Sequence, residues 1–340
     1  MKNTLRALSV LVNERRNLTL KESSDVFDEI MDGRVCNEIL AAFLSALKYK
    51  GECVDEVVGA ATAMRARATF ISSGESSPID TCGTGGDGLN TFNISTTAAF
   101  ITAGAGVSVA KHGNRGASAK SGSADVLAKL GFNLDADTAL MEHCLQENGI
   151  AFLFAPKMHP AMRYAAPVRR MLGFRTIFNL LGPLVNPARV LSQIIGVFDA
   201  SYTELLAYSL KCLGSRRVMI VHSADGMDEI SPCALTRISE LKDGSICTHE
   251  FNPGQYLDRI GSFGELRGDD AAYNAEVTMR ILDNKDHSAA TDACLLNAAA
   301  GIYVAGKADD FQTALKMARE SLSSGAAKEK LVKLIEFSKK

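Results

Sequence analysis

IDTCGTGGDGLNTFNISTTAAFITAGAGVSVAKHGNRG, residues 79–116, contains a short apolar run, a glycine-rich turn, a helical pattern and a second apolar run. We predict strands at 79–82 and 107–110 and a helix at 96–105. The same alternation of strand, glycine-rich turn and helix continues along the chain, which is typical of an α/β domain with a central, mostly parallel sheet. The further predicted strands are 150–154, 193–198 and 218–221, and the further predicted helices are 123–130, 203–213 and 289–304.

The chain before this stretch has a different character. Apolar residues recur at helical spacing in four segments before residue 66, and Thr19 and Glu22 form a capping-box pattern. The segment 72–78, SSGESSP, has the composition of a linker. We therefore expect a small all-helical domain over 1–72 and a larger α/β domain over 73–340. A helical insert at about 159–185 is expected to pack on the helical domain.

Composition limits the classes of protein that remain possible. Of 340 residues, 46% are hydrophobic and 22% are charged, and the net charge is −2, so a strongly basic nucleic-acid-binding protein is not indicated. The longest uncharged stretch, 88–110, is too rich in Asn, Ser, Thr and Gly for a membrane span. The N-terminus shows no signal-peptide cleavage site. The eight cysteines form no CxxC pair, so we expect reduced thiols and a cytoplasmic location.

The glycine-rich turn matches a well-known nucleotide motif. Gly83, Gly85 and Gly88 follow the GxGxxG pattern of dinucleotide-binding folds. Two features argue against that function: the second strand leads into Lys111, where a ribose-binding carboxylate would be needed, and Asp87 would repel a pyrophosphate. No GKS or GKT follows, so a P-loop is not indicated either. On the glycines alone, a tight turn without a ligand remains an alternative.

Two polar segments after the turn favour a phosphate site. Asn93, Ser95, Thr96 and Thr97 lie at the start of the predicted helix, where free main-chain N–H groups attract an anion, although ordinary helix capping would use the same residue types. The segment 111–125, KHGNRGASAKSGSAD, begins where a strand ends and combines three cations with small residues. A polyanion explains this composition better than a solvated loop does.

Two further features suggest a cation and a carboxylate. Asp228 and Glu229 follow the predicted strand 218–221, and adjacent carboxylates near a phosphate favour Mg²⁺, with a solvated acidic loop as the alternative. In the insert, Arg169 and Arg170 point about 100° apart on a helix, so one could bind a carboxylate while the other faces solvent. Surface arginines explain such a pair more often than a binding site does, and we interpret His159 as a structural histidine.

Six segments in register resemble the anthranilate phosphoribosyltransferase family. They are GTGGD at 83–87, NIST at 93–96, KHGNR at 111–115, SGSAD at 121–125, the run from HPAMR to GPLVNP at 159–187, and DGMDE at 225–229. The resemblance implies a fold of the nucleoside phosphorylase and phosphoribosyltransferase type, a homodimer, and an active site between the two domains. It also implies Mg²⁺-dependent transfer of the phosphoribosyl group of 5-phosphoribosyl 1-pyrophosphate to the amine of anthranilate, in tryptophan biosynthesis.

The resemblance further implies roles for individual residues. The anthranilate site would be lined by Gly83, Asn114 and Arg169, and Mg²⁺ would be bound by Ser95, Asp228 and Glu229. We assign no catalytic acid or base, because a neutral aromatic amine needs positioning more than deprotonation. Lys111 is expected to help neutralise the leaving pyrophosphate. Ala119 stands where serine or glycine is expected. The residues implied for phosphoribosyl pyrophosphate are Gly83, Gly86, Asp87, Thr91, Asn93, Ile94, Ser95, Thr96, Lys111, His112, Gly113, Asn114, Arg115, Gly116, Ala117, Ser118, Ala119 and Ser123.

Two other functions remain open at this point. A pyrimidine nucleoside phosphorylase shares the architecture, but the segment 111–123 does not match its loops. A non-catalytic nucleic-acid-binding relative would need a basic surface and eroded phosphate loops, which the net charge of −2 and the intact GTGGD segment disfavour. We therefore expect small-molecule substrates as partners, and neither nucleic acid nor a membrane.

Overall fold

The computed structural model describes residues 1–74, 76–116 and 120–340, and within these ranges the chain forms fifteen α-helices and one seven-stranded sheet. The four predicted N-terminal helices are confirmed: α1 (Lys2–Ser9), α2 (Leu20–Met31), α3 (Asn37–Lys50) and α4 (Val54–Arg65). The predicted capping box is also confirmed, because Thr19 and Glu22 bond each other's main-chain N–H groups at the start of α2. After α1 the chain continues through a π-helical turn, Val10–Glu14.

The sheet has the strand order β3-β2-β1-β4-β5-β6-β7. The first five strands in this order run parallel to one another, and β6 and β7 are added antiparallel at one edge. A helical domain followed by an α/β domain with a mostly parallel sheet confirms the predicted fold class. The strands are β1 (Ile79–Gly83), β2 (Val109–Gly113), β3 (Ile150–Phe154), β4 (Ser192–Gly196), β5 (Arg217–Ser223), β6 (Thr236–Lys242) and β7 (Ser245–Phe251).

Helices connect the parallel strands and cover the sheet. In chain order they are α5 (Ile94–Gly104), α6 (Ser123–Lys129), α7 (Thr138–Asn148), α8 (Ala155–Met158), α9 (Ala166–Leu172), α10 (Phe178–Leu181), α11 (Tyr202–Cys212), α12 (Ala271–Leu282), α13 (Ala289–Val304), α14 (Phe311–Ser323) and α15 (Ala326–Phe337). The insert contains α9 and α10 together with two 3-10 turns, Pro160–Tyr164 and Gly182–Val185. No helix in the described ranges is both long enough and apolar enough to span a membrane.

Each face of the sheet belongs to a different apolar core. Ile194 of β4 joins a core with α5 and α13, whereas its neighbour Ile195 joins a core with the N-terminal helices and the insert. In that second core the ring of Phe27 in α2 packs edge-on against Phe178 in α10, with ring centres 5.5 Å apart. Side chains of successive strand residues point to opposite faces, so β4 contributes to both cores. The domain limits at 72 and 73 remain a prediction.

Strand order places a crevice at the centre of the sheet. From β1 the chain runs outward through β2 and β3 on one side, and β4 and β5 continue on the other side. In parallel α/β sheets, the carboxyl ends of the strands at such a reversal flank the ligand-binding crevice. Here these ends are Gly83 of β1 and Gly196 of β4. The glycine-rich turn and the segment 225–229 both lie at this edge.

Candidate active site

The glycine-rich turn lies over the end of β4 and is tied to the acidic segment. Gly85 and Gly86 have φ angles of +63° and +85°, which glycine adopts readily. The main-chain N–H of Gly85 donates to Asp228 Oδ2 at 3.0 Å. A Cβ on Gly83 would lie 2.8 Å from the same oxygen, so this close approach requires glycine. The turn therefore has a specific conformation and a specific partner.

Three carboxylates meet beneath this turn. Asp87, Asp228 and Glu229 each place an oxygen within 4.8 Å of the others. Burial, followed by repulsion from Asp87, raises the pKa of Asp228 to about 6. Burial and repulsion from Asp228 and Asp87 raise the pKa of Glu229 well above its ordinary value. Such a cluster is unfavourable when all three groups are charged, and a cation between them removes the repulsion.

The carboxylate cluster fits a divalent cation. Within the described ranges, Asp87 Oδ2 and Glu229 Oε2 are buried and accept no hydrogen bond. Ser95, at the start of α5, lines the same small cavity as Asp228 and Glu229. Oxygen ligands of this kind suit Mg²⁺. The structure thus brings together the three residues predicted for the metal. It adds Asp87, which the sequence placed only at the substrate, because nothing in the sequence shows that segments 83–88 and 225–229 touch.

Lys111 points into the sheet from β2. It is 3% exposed, and its Nζ donates to the carbonyl oxygen of Thr81 at 2.5 Å. Burial lowers the pKa of Lys111, which the negative charge of Asp80 partly offsets. The sequence led us to expect this ammonium group at the pyrophosphate, but the structure directs it to a main-chain oxygen of β1. Its side chain follows the alternation of β2 rather than the loop that comes after it.

His112 is buried beside the insert. Its Nδ1 lies 3.2 Å from the carbonyl oxygen of Gly182, and its ring centre is 5.0 Å from that of His159. Burial, followed by the neighbouring His159, lowers the pKa of His112 to about 3, and burial lowers that of His159 to about 4. Both imidazoles are therefore neutral near pH 7. A carbonyl partner for Nδ1 assigns the proton to that nitrogen and leaves Nε2 as an acceptor.

Residues 114–116, after β2, are bonded to the start of α6. Asp125 accepts hydrogen bonds from the main-chain N–H groups of Gly116 and Gly122 and pairs with Arg115 at 2.9 Å. The carbonyl oxygen of Asn114 accepts from the Ser123 hydroxyl at 3.2 Å. These bonds close the loop and leave the Asn114 and Arg115 side chains exposed. Ala117, Ser118 and Ala119, which were also assigned to phosphoribosyl pyrophosphate, lie outside the described residues.

The start of α5 differs in detail from expectation. Asn93 is the N-cap residue, so Ser95 and Thr96 belong to the first turn rather than to the cap. The Asn93 side chain is fixed by Asn274, which donates to its Oδ1 at 3.0 Å. Ile94 and Thr96 are buried, and Thr91 pairs with Arg267 in an isolated bridge. Ser95, in the first turn of α5, therefore lies beside the carboxylate cluster.

The insert contributes two arginines with different surroundings. The guanidinium of Arg169 lies 5.4 Å from the ring centre of Phe178, and burial lowers its pKa. Arg170 is exposed. Arg175, which the sequence analysis did not select, donates to the carbonyl oxygen of Gly86 and lies 4.1 Å from the ring centre of Phe198. Its proximity to the glycine-rich turn depends on tertiary packing, so no local sequence signal marks it.

Comparison with known proteins gives the same picture for the whole chain. The glycosyl transferase family α/β-domain model matches residues 75–328, and the helical bundle domain model of that family matches residues 6–68. The anthranilate phosphoribosyltransferase of Desulfosudis oleivorans is 46% identical over 332 residues, covering 98% of both chains. This chain belongs to the anthranilate phosphoribosyltransferase family. The family member from Desulfatibacillum aliphaticivorans is 48% identical over 95% of both chains.

Solved anthranilate phosphoribosyltransferases share the fold. The structure from Thermus thermophilus has a TM-score of 0.94 at 36% identity and covers 100% of both chains. The Saccharomyces cerevisiae enzyme, solved in complex with PRPP and Mg, has a TM-score of 0.90 at 25% identity, with 99% of this chain and 98% of that chain covered. The family resemblance predicted from six sequence segments is therefore confirmed.

Proposed function

We propose that this protein transfers the phosphoribosyl group of 5-phosphoribosyl 1-pyrophosphate to the amine of anthranilate, with release of pyrophosphate, as a step of tryptophan biosynthesis. The observation that carries the proposal is the cluster of Asp87, Asp228 and Glu229 directly beneath the glycine-rich turn. Three carboxylates at a predicted polyanion site make sense when a cation lies between them and the substrate. Family membership supplies the identity of the two substrates.

In this proposal Ser95, Asp228 and Glu229 bind Mg²⁺, and Asp87 lies close enough to contribute. When bound, the ion would offset the negative charge that develops on the leaving pyrophosphate. The chain itself supplies main-chain N–H groups from the glycine-rich turn and from the first turn of α5. These donors suit phosphate oxygens. The first N–H groups of a helix have no partner within the helix, and a glycine-rich turn also presents main-chain N–H groups to a ligand.

The acceptor amine requires no strong base in this mechanism. Aromatic amines are neutral at pH 7, so the site must hold the nitrogen near the ribose C1 rather than deprotonate it. His112 is neutral and offers an acceptor nitrogen, which suits it to contact an N–H group rather than to donate a proton. Arg169 and Asn114, together with Gly83, are proposed to line the anthranilate site. The other residues that the family resemblance implies for phosphoribosyl pyrophosphate are likewise proposed to bind it.

The assembly and location follow the same proposal. We infer a homodimer and a cytoplasmic enzyme with small-molecule substrates, supported by family membership and by exposed apolar side chains on the N-terminal helices. We also propose that residues 1–72, with the insert, form one structural unit and residues 73–340 the other.

The decisive experiment mixes the protein with Mg²⁺, phosphoribosyl pyrophosphate and anthranilate and measures the loss of anthranilate together with the release of pyrophosphate. We expect equimolar conversion that stops when the metal is chelated. No conversion over a range of pH and Mg²⁺ concentrations would refute the proposal. Steeply salt-dependent binding of DNA in the same preparation would instead favour a nucleic-acid-binding relative.

A further inference from the structure

Strands β1 and β2 lose their main-chain pairing almost as soon as it begins. They pair at one position, Ile79 with Val109. By contrast, β1 pairs with β4 at five positions up to Gly83 with Gly196, and β2 pairs with β3 at five positions up to Gly113 with Phe154. The strand that leads into the glycine-rich turn and the strand that leads into residues 114–116 therefore lack a shared ladder at their carboxyl ends.

Side chains replace the missing ladder. A continued parallel ladder would join the Thr81 carbonyl oxygen to the His112 N–H and would give the Ala110 carbonyl oxygen a donor from Thr81. Instead, Lys111 Nζ donates to the Thr81 oxygen at 2.5 Å, and the His112 N–H donates to Asp80 Oδ1 at 3.1 Å. The Ala110 oxygen accepts from Asn186 Nδ2 at 2.8 Å.

The three substituting side chains form one buried group, which we call the wedge: Asp80, Lys111 and Asn186. Asn186 also donates to Asp80 Oδ2 at 2.7 Å, so its amide joins both strands. Each of these three residues is at most 3% exposed. Burying a carboxylate and an ammonium group costs free energy that a plain ladder between the same strands would avoid. Stability alone therefore does not account for the wedge.

We propose that the wedge sets the separation between the glycine-rich turn and residues 114–116 after β2, and that Asp80 and Asn186 are positioning residues for phosphoribosyl pyrophosphate. This inference rests on the proposed function, because those two segments are its proposed phosphate-binding parts. Closing the ladder would bring the strands to about 4.8 Å and draw the two loops together. Asn186 directly follows the insert, so the position of the insert also affects the width of the crevice.

The test compares Asn186→Ala with Asn148→Ala. Asn148 is 2% exposed, and its amide likewise donates to a main-chain oxygen, that of Lys330 at 3.0 Å, outside the crevice. Binding of phosphoribosyl pyrophosphate with Mg²⁺ is measured by calorimetry, and the thermal midpoint Tm is measured for each protein. We expect Asn186→Ala to weaken binding at least tenfold, and Asn148→Ala to change it less than twofold at a similar loss of Tm.

Binding within twofold of wild type for Asn186→Ala would overturn the inference, as would equal weakening in both variants. If Asn186→Ala does not fold, Asp80→Asn is judged by the same threshold, since it keeps the acceptor for His112 but removes the charge beside Lys111. Loss of folding in both would also overturn it, because the wedge would then serve the fold alone. Wild-type protein that binds phosphoribosyl pyrophosphate but transfers nothing to anthranilate contradicts the proposed function and leaves this comparison intact.

Discussion

Arg169 is half-buried against Phe178, and its neighbour Arg170 is exposed. A guanidinium held by an aromatic ring is well suited to bind a carboxylate through two hydrogen bonds. We expect Arg169→Ala to weaken use of anthranilate by about 2–3 kcal/mol, because a charge-assisted bond is lost, and to affect phosphoribosyl pyrophosphate much less. Steady-state kinetics with each substrate varied in turn measures both effects. Arg170→Ala is the control, and the same defect there instead would show that the other arginine binds the substrate.

Asp228 and Glu229 provide a second residue-scale prediction. Replacing both, as Asp228→Asn with Glu229→Gln, removes two of the three charges in the cluster. We expect the Mg²⁺ concentration for half activity to rise about 10–100-fold, the usual effect of disturbing residues around a metal. The measurement is a Mg²⁺ titration at saturating substrates. Overlapping titration curves for variant and wild type would indicate a solvated acidic loop without a metal.

His159 provides a prediction about pH. Burial lowers its pKa to about 4, so the folded protein keeps this imidazole neutral while the unfolded chain takes up a proton near pH 6.5. The free energy of unfolding therefore decreases as pH falls below 6.5, because only the unfolded chain binds this proton. Between pH 7 and pH 5 the loss of stability due to His159 is about 2 kcal/mol. Urea unfolding of wild type and His159→Gln at both pH values measures this. We expect the variant to lose about 2 kcal/mol less than wild type over this interval; an identical pH dependence would contradict the neutral state.

At the scale of elements, the glycine-rich turn is sensitive to substitution, because three of its glycines have positive φ angles. Gly86 has a φ of +85°, and a Cβ there would lie 3.4 Å from Arg175. We expect Gly86→Val to abolish binding of phosphoribosyl pyrophosphate and to leave the far-ultraviolet spectrum unchanged, since a side chain would both strain the turn and block phosphate approach. Gly214→Val is the matched control, because Gly214 has a φ of +88° with no atom near its Cβ. Normal binding by Gly86→Val would show that the turn has no ligand.

The parallel core could be predicted element by element, but the edge of the sheet could not. β1, β3, β4 and β5 were predicted to within about two residues. β3, β4 and β5 contain runs of apolar residues, the pattern of strands buried on both faces, whereas β1 reads IDTCG and is marked by the glycine-rich turn that follows it. β7 alternates exposed and half-buried positions and reads SICTHEF, which resembles a surface loop. The Asp243–Gly244 turn, with φ angles of +50° and +74°, was the available signal for the hairpin. Helices α7, α12, α14 and α15 were not among the predicted helices, although their buried residues recur at helical spacing.

The candidate site could be predicted in its residue types but not in its contacts. Ser95, Asp228 and Glu229 were selected because their chemistry and their positions after strands indicate a cation. The inclusion of Asp87 and the contact of Arg175 with the Gly86 oxygen depend on segments that are distant in sequence. The present partner of the Lys111 side chain was not predicted, because strand β2 continues to Gly113, three residues beyond its apolar run at 107–110.

At the scale of the whole molecule, the N-terminal helices present apolar residues to solvent. Leu5, Val12 and Leu20 are 44%, 56% and 41% exposed. We predict a homodimer through this surface, since burying it would stabilise association. Light scattering should give twice the 36.3 kDa chain mass, and Leu5→Glu with Val12→Glu should halve it. Val332→Glu on α15 is the control, because Val332 is 43% exposed on another part of the molecule. A mass of one chain at micromolar concentrations would refute the prediction.

The division of the sheet between two cores has a consequence for how such proteins can be recombined. The face formed by Ile195, Val197, Val218 and Ile220 is covered by α11 together with the N-terminal helices and the insert. A chimera that exchanged only the helical bundle between two relatives would keep one half of that contact surface and replace the other. Because interiors are closely packed, such halves fit only when their shapes match. Crossovers in a recombination library should therefore keep residues 6–68, the insert and α11 from the same parent.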